Sequence, residues 1–185
     1  MRLKEKISII TGAASGFGKG IAKKFSEEGA KVILVDINKE ELEKVAKDLN
    51  QDFLYVDVSS YISMQKLSKY VLNKYENIDI IVNNAGITHL PKPLEEVSEE
   101  EFDKVFSVNS KSVFFSAKVF VPHMKKNKKG SILNVASTAG LSPRPNLNWY
   151  NASKGWMITA TKTMAVELAP FNIRVNSLAP VAGET

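Results

Sequence analysis

Tyr150 and Lys154 stand four residues apart in the run Trp149-Tyr150-Asn151-Ala152-Ser153-Lys154. On a helix, positions i and i+4 share one face, so a phenol and an ammonium project side by side. A free phenol, with a pKa of about 10, exchanges protons poorly at neutral pH. A cation roughly 5 Å away, at an effective dielectric of about 20, favours phenolate by about 3 kcal/mol and lowers that pKa by about 2. The phenol then comes into range to exchange a proton with an alcohol or a carbonyl. The same spacing also occurs on ordinary solvated helix faces, so its weight depends on the rest of the chain.

A second kind of chemistry is carried by Thr11-Gly12-Ala13-Ala14-Ser15-Gly16-Phe17-Gly18, which follows an apolar run and opens an amphipathic one. Glycine permits positive φ and close backbone approach. A helix N-terminus offers free N–H groups and a favourable dipole to a pyrophosphate. At a strand–turn–helix position, such a loop reads as a dinucleotide site. Asp36 ends the next apolar run, twenty positions beyond Gly16. A carboxylate there binds both ribose hydroxyls of NAD and repels the 2′-phosphate of NADP. Neither Ser15 nor Ile37 is basic and Lys39 is the one competing cation, so NAD is expected over NADP. Asp57-Val58 ends the third run, either beside an adenine or as a solubilising acid at a strand end. Asn83-Asn84-Ala85-Gly86 ends the fourth, where small residues let the backbone pass close to a cofactor and the asparagines pin the loop. A plain turn is the competing reading of those four residues.

The elements that must position these groups alternate along the chain. Ile7-Ser8-Ile9-Ile10, Val32-Ile33-Leu34-Val35, Phe53-Leu54-Tyr55-Val56, Ile78-Asp79-Ile80-Ile81-Val82 and Ser131-Ile132-Leu133-Asn134-Val135 read as strands, with Ile173-Arg174-Val175 a weaker sixth. Helical patterns fall at about 16–28, 39–50, 60–75, 98–126 and 150–169. This alternation predicts an α/β fold: a doubly wound parallel sheet of about six strands in three αβα layers, forming a single domain over 1–185. Two helices are apolar on more than one side. Val113, Phe114, Phe115, Phe120 and Val121 crowd one; Trp156, Met157, Ile158, Met164 and Val166 crowd the other. Such helices are buried on several sides, in extra core or in a subunit interface.

Composition narrows the function classes. The 185 residues are 44% apolar, ample for one core. A net charge of +5 raises nucleic acid as a partner, but the lysines alternate with glutamates, as in Lys39-Glu40-Glu41-Leu42-Glu43-Lys44. The densest run, Lys125-Lys126-Asn127-Lys128-Lys129, precedes Gly130 at an apparent helix end, where cations complement the helix dipole. No nucleic-acid role is expected. Residues 1–6 are charged, the apolar stretch after them is short, and no run reaches membrane-spanning length. No membrane association is expected, and a cytoplasmic location is. With two histidines and no cysteine, no transition-metal site is expected either. His89 is read as a loop histidine near a cleft and His123 as a residue capping a helix end.

Together these segments resemble the short-chain dehydrogenase/reductase family over nearly the whole chain. Thr11 to Gly18 matches its cofactor loop, Asn83 to Gly86 its Asn-Asn-Ala-Gly motif, and Tyr150 with Lys154 its catalytic Tyr-x-x-x-Lys. Ser137 in Asn134-Val135-Ala136-Ser137 falls at the catalytic serine, and Asn109 in Val108-Asn109-Ser110 at a fourth member. The resemblance implies an NAD(P)-dependent oxidoreductase that interconverts a secondary alcohol and a ketone. Tyr150 would be its proton donor or acceptor, Lys154 would lower the phenol pKa and bind the nicotinamide ribose, and Ser137 would polarise the substrate oxygen. Asn109 would hold a water linking Lys154 to solvent. Cofactor contacts would come from Gly12, Ser15, Gly16, Phe17, Gly18, Asp36, Ile37, Asp57, Val58, Asn84, Ala85 and Gly86, with Tyr150 and Lys154. Beyond Asn176-Ser177-Leu178-Ala179-Pro180, they would continue through Pro180, Val181, Gly183 and Thr185. Read without the family, Ser137 is an ordinary strand-end serine and Asn109 a mid-helix asparagine bonding its own backbone.

The sequence departs from the family after Thr185, where members usually continue into a substrate lid, another helix and a last strand. A truncated form is therefore expected, with the last of the usual seven strands missing and the strand near 171–177 left as an edge. The two apolar helices match the family's paired-helix interface, which implies a homodimer through 98–126 and 150–169. A non-catalytic nucleotide-binding dimer is the alternative function, because a pocket without its lid grips substrate poorly. Substrate choice is expected to lie with the loop near 88–95 and with residues 139–147, including Pro143, Arg144 and Pro145.

Overall fold

Six β-branched-rich segments lie side by side as parallel strands: β1 (Ile7–Thr11), β2 (Lys31–Asp36), β3 (Asp52–Tyr55), β4 (Ile80–Asn83), β5 (Gly130–Val135) and β6 (Ile173–Leu178). Their order in the sheet is β3-β2-β1-β4-β5-β6, and every pairing is parallel. The computed structural model describes residues 1–181. Six α-helices connect the strands: α1 (Gly16–Glu27), α2 (Lys39–Leu49), α3 (Tyr61–Tyr75), α4 (Glu99–Phe106), α5 (Ser112–Asn127) and α6 (Asn148–Leu168).

Alternation along the strands sorts the core into two halves, because successive side chains point to opposite faces. Ile9, Ile33, Ile81 and Ile132 pack with Leu67, Phe120 and Leu168 from α3, α5 and α6. Their neighbours Ile10, Leu34 and Val82 pack with Ala22, Leu42 and Val45 from α1 and α2. A parallel sheet covered on both faces results. The strand order reverses between β1 and β4, and in such sheets ligands bind in the crevice at that switch point, beyond the strands' carboxyl ends.

Several boundaries differ from the sequence reading. The segment read as one helix over 98–126 is α4, a π-type stretch at Ser107–Lys111, and α5. A capping box between Ser98 and Glu101 starts it, and the inserted π turn carries Asn109 inward. Asp57-Val58 does not end β3, which stops at Tyr55; Asp57 instead turns the chain by accepting from the Ser59 N–H at 2.8 Å. Ile78 and Asp79 precede β4 rather than open it. Asp79 anchors that corner by accepting from the Ile7 N–H at 3.1 Å and pairing with Lys129 at 2.8 Å. The lysine run ends α5 on Lys128 in the left-handed conformation, φ 49°. Lys125 of that run pairs with Glu167, so part of its charge is spoken for within the protein. His123 bonds the Asn127 side chain. The multiply apolar helices are not simply extra core: Val113 and Phe120 are buried, but Phe114 is 51%, Trp156 40% and Val166 79% exposed. Among the described residues, no helix is long and apolar enough to cross a membrane.

Candidate functional site

Thr11, the last residue of β1, is the hub of the switch-point crevice. Its hydroxyl accepts from the Asn84 and Ala85 N–H groups, both at 3.0 Å, and donates to the Val82 carbonyl at 3.3 Å. The Asn84 amide returns the tie by donating to the carbonyls of Thr11 (2.9 Å) and Gly12 (3.1 Å). Asn84 thus pins the glycine loop across the sheet, as more than a plain turn would. Gly12 has φ +65°, and a Cβ there would sit 2.8 Å from the Asn84 amide nitrogen and 2.9 Å from the Ala85 Cα. Gly18 packs more tightly still, since a Cβ would lie 1.9 Å from the Gly12 carbonyl oxygen. Ser15 N-caps α1 without a side-chain bond, so the N–H groups of the first turn face the crevice uncapped.

A cleft of about 510 Å³ runs from this loop along the strand ends. It brings together Gly12, Ser15, Gly16, Phe17, Asp36, Ile37, Asp57, Val58, Asn84, Ala85 and Gly86. Gly18 lies behind the lining, where it lets the helix approach the strand. Asp36 accepts from the Ala14 N–H through one carboxylate oxygen and from the Asn38 N–H through the other, each at 3.0 Å. Each oxygen has a further lone pair with which to accept. Lys39 sits over the Tyr55 ring at 5.3 Å, which gives its ammonium a partner other than the cleft. Val56, Ile87, Lys104 and Val108 also line the cleft and were not foreseen. The last two come from the α4–π segment, a neighbour that only tertiary packing supplies.

A second cavity, of about 340 Å³, shares Phe17, Asn84, Gly86 and Ile87 with the cleft, so the two form one crevice. Ser137, Tyr150, Lys154, Pro180 and Val181 all line it. The Ser137 hydroxyl oxygen accepts from the Ala139 N–H at 3.1 Å, which leaves its own hydrogen to be donated. Lys154 is buried, with Nζ 2.9 Å from the Val135 carbonyl and 5.8 Å from the Tyr150 ring centre. Burial pushes its pKa down from 10.5 to about 8, and no carboxylate pairs with it among the described residues. Near neutrality it is still mostly an ammonium. The side-by-side phenol and ammonium expected from the i, i+4 spacing are present.

Asn109 is fully buried beneath the cavity rather than in its wall. It does not bond its own backbone. Its amide donates to the Ile87 carbonyl and to Ser153 Oγ, while its oxygen accepts from the Ile87 N–H, all at 2.9 Å. Gly86 lets this group and the lysine approach: a Cβ there would lie 3.2 Å from Lys154 Nζ and 3.3 Å from Asn109 Oδ1. His89 is buried, its Nδ1 donating to the Leu90 carbonyl at 2.8 Å, and it lines neither space. Gly183 and Thr185 lie outside the described residues. No cluster of three metal-ligating side chains occurs among the described residues.

The cradle fits an extended dinucleotide. A glycine backbone and an uncapped helix end lie at one end of the crevice with Asp36 beside them, and the far end opens beside a hydroxyl, a phenol and an ammonium. Comparison with known proteins points the same way. The family model described as short chain dehydrogenase matches residues 6–185. The chain is 40% identical to 4-formylbenzenesulfonate dehydrogenase of Comamonas testosteroni, covering 100% of this chain and 75% of that protein. It is 43% identical to 3-oxoacyl-[acyl-carrier-protein] reductase of Thermotoga maritima, covering 100% of this chain and 77% of that one. Among solved structures, 3-ketoacyl-(acyl-carrier-protein) reductase from Brucella melitensis, complexed with NADH, superposes with a TM-score of 0.96 at 46% identity, over 98% of this chain and 77% of that one. NAD+-bound xylitol dehydrogenase superposes with a TM-score of 0.94 at 31% identity, over 100% and 74%.

Proposed function

The chain belongs to the short-chain dehydrogenase family, and from that premise we propose that it interconverts a secondary alcohol and its ketone, with NAD(H) preferred to NADP(H). The observation that carries this reading is the convergence of Ser137, Tyr150 and Lys154 on a cavity continuous with the glycine-loop cleft. A nicotinamide bound at that junction would supply or accept the hydride. In the reductive direction the Tyr150 hydroxyl gives its proton to the carbonyl oxygen, and in the oxidative direction it takes the alcohol proton. Ser137 donates a hydrogen bond to the same oxygen, which favours the charge that develops there. Lys154, fixed by the Val135 carbonyl, places its ammonium beside the Tyr150 ring and would also bind the nicotinamide ribose. Asn109 gives both amide hydrogens to protein acceptors, so a water linking Lys154 to solvent is held by its oxygens.

The NAD preference rests on Asp36. Its carboxylate repels a 2′-phosphate, and Lys39, the competing cation, is turned over Tyr55. We read residues 1–185 as one nucleotide-binding domain. The exposed Phe114 and Trp156, which line one surface groove, and the exposed Val166 support a homodimer joined through the helical segments 98–126 and 150–169, because exposed apolar surface marks interfaces.

The test is NADH absorbance against a panel of ketones and alcohols, with Tyr150→Phe beside the native chain. Turnover that falls at least 100-fold in the variant, with NADH affinity retained by calorimetry, is the expected result. Tight NADH binding with no turnover of any compound would replace this reading with a non-catalytic nucleotide-binding dimer.

A further inference from the structure

We propose that Arg144 binds an anionic group on the substrate, so that the ketones and alcohols taken by this protein carry a carboxylate or sulfonate on a small apolar body. The inference rests on the reaction proposed above and adds the substrate class. Of the residues lining the 340 Å³ cavity, two are charged, Lys154 and Arg144, and both are cations. No acid lines it among the described residues, and no carboxylate there pairs with Arg144. Apart from the neutral polar groups of Asn84, Thr88, Ser137 and Tyr150, the rest of the wall is apolar or small, including Phe17, Ile87, Ala139 and Leu147. A low-dielectric wall with charge of one sign concentrates ligands of the opposite sign.

The arginine is also held in register with the reactive phenol. Pro143 and Pro145 flank it, which fixes φ on either side and biases Arg144 itself toward extended backbone. The Asn151 amide donates to its carbonyl at 2.7 Å, and Asn151 is the next residue after Tyr150 on α6. The loop is tied at its two ends as well, by the Ser142 N–H to the Thr138 carbonyl (2.8 Å) and the Lys92 N–H to the Asn146 carbonyl (3.0 Å). These bonds fix the backbone that carries Arg144, whose exposed side chain reaches the cavity wall, and its planar fork matches a carboxylate. Because Asn151 bonds the backbone, replacing the arginine side chain leaves the tether in place.

Two matched pairs test this: 4-acetylbenzoate against 4-acetylbenzamide, and 4-acetylbenzenesulfonate against its sulfonamide. The anion is expected to exceed its neutral isostere about 10- to 100-fold in kcat/KM, mainly through KM, as one charge-assisted bond gives. Added salt should reduce that ratio. In Arg144→Gln it should fall toward one, and Arg144→Lys should recover part of it. Binding of the same four compounds to the NADH complex is read in parallel by calorimetry. A ratio near one in the native protein, or one unchanged in Arg144→Gln, overturns the inference by either readout. Anion preference in binding without turnover upholds it and counts against the proposed reaction alone.

Discussion

Replacing Lys154 by methionine should make the protein more stable at neutral pH while stopping it from working. The ammonium is buried without a carboxylate, and burial lowers its pKa from 10.5 to about 8. At about 1.4 kcal/mol per pKa unit, the native state carries a penalty of about 3 kcal/mol for keeping that charge. The bond to the Val135 carbonyl at 2.9 Å offsets part of this, because a charged donor contributes about 1.5–3 kcal/mol. Methionine has similar length, no charge and no donor, so a net gain of about 1 kcal/mol at pH 7 is expected. The pH dependence fixes the cause. A lysine with its folded pKa below its unfolded one leaves the unfolded chain holding more protons between about pH 8 and 10.5. Native stability therefore rises across that window, and the full penalty applies below it. The variant lacks the group and this dependence, so its advantage should be constant below pH 8, gone by about pH 9 and reversed by about 1 kcal/mol at pH 9.5. Urea unfolding of both proteins at pH 7 and pH 9.5, with m-values compared, measures this. A variant that is less stable at pH 7, or a difference that does not move between the two pH values, refutes the reasoning.

Two glycines of α1 should respond oppositely to alanine. Gly18→Ala drives a Cβ to 1.9 Å from the Gly12 carbonyl and should cost about 3 kcal/mol or more in thermal melts, with NADH binding lost. Gly20→Ala meets nothing within 4 Å and should gain about 0.5–1 kcal/mol. Thr11→Val strands the Asn84 and Ala85 N–H groups and should cost about 2–4 kcal/mol by urea unfolding, with weaker NADH binding by titration. Burial raises the Asp79 pKa, but the bonds from Lys129 and the Ile7 N–H lower it further, leaving it below 3.8. Its contribution is therefore whole above pH 3.8 and lost as pH falls through the folded value. Asp79→Asn should be less stable than the native chain by about 1–3 kcal/mol at pH 7, and unfolding series toward pH 3 should show the gap closing. Asp36→Ser should lower the ratio of NAD to NADP turnover at least 10-fold in paired assays.

The features legible in the sequence are those whose meaning is local. Tyr150 and Lys154 are coupled by helix geometry alone, and the glycine loop by its place between a strand and a helix. The sheet followed from apolar runs separated by amphipathic ones, since parallel strands buried on both faces have no polar side. What was not legible is the set of partners that fix those residues, because they lie far along the chain. Asn109 meets residues 22 and 44 positions away, and Asn84 meets Thr11 73 positions away. A π-type insertion changes no hydrophobic period strongly enough to be seen, yet it turns Asn109 inward. Arg144 stood in a loop read only as a specificity region; its register with Tyr150 comes from a side-chain bond that no spacing rule encodes.

The distribution of buried polar groups separates what the fold needs from what the site needs. Thr11, Asn83, Asn134, Asn109, Ser153 and Lys154 are all buried, and all lie at the carboxyl ends of β1, β4 and β5 or on the segments packed over them. They form continuous chains, from Asn83 through Asn134 to Thr161, and from Ile87 through Asn109 to Ser153. At the opposite end of the same strands the buried polar groups are the Ser8 hydroxyl and one carboxylate, Asp79, neutralised by two lysines. A core built for stability alone would not gather amides and an unpaired ammonium at one edge, because each must be fully bonded or it destabilises the fold. Lys154 is the member whose charge stays without a carboxylate, and it is the one adjoining the phenol. The cavity therefore lies where the fold tolerates electrostatic strain, the setting in which perturbed groups such as Lys154 gather at functional sites.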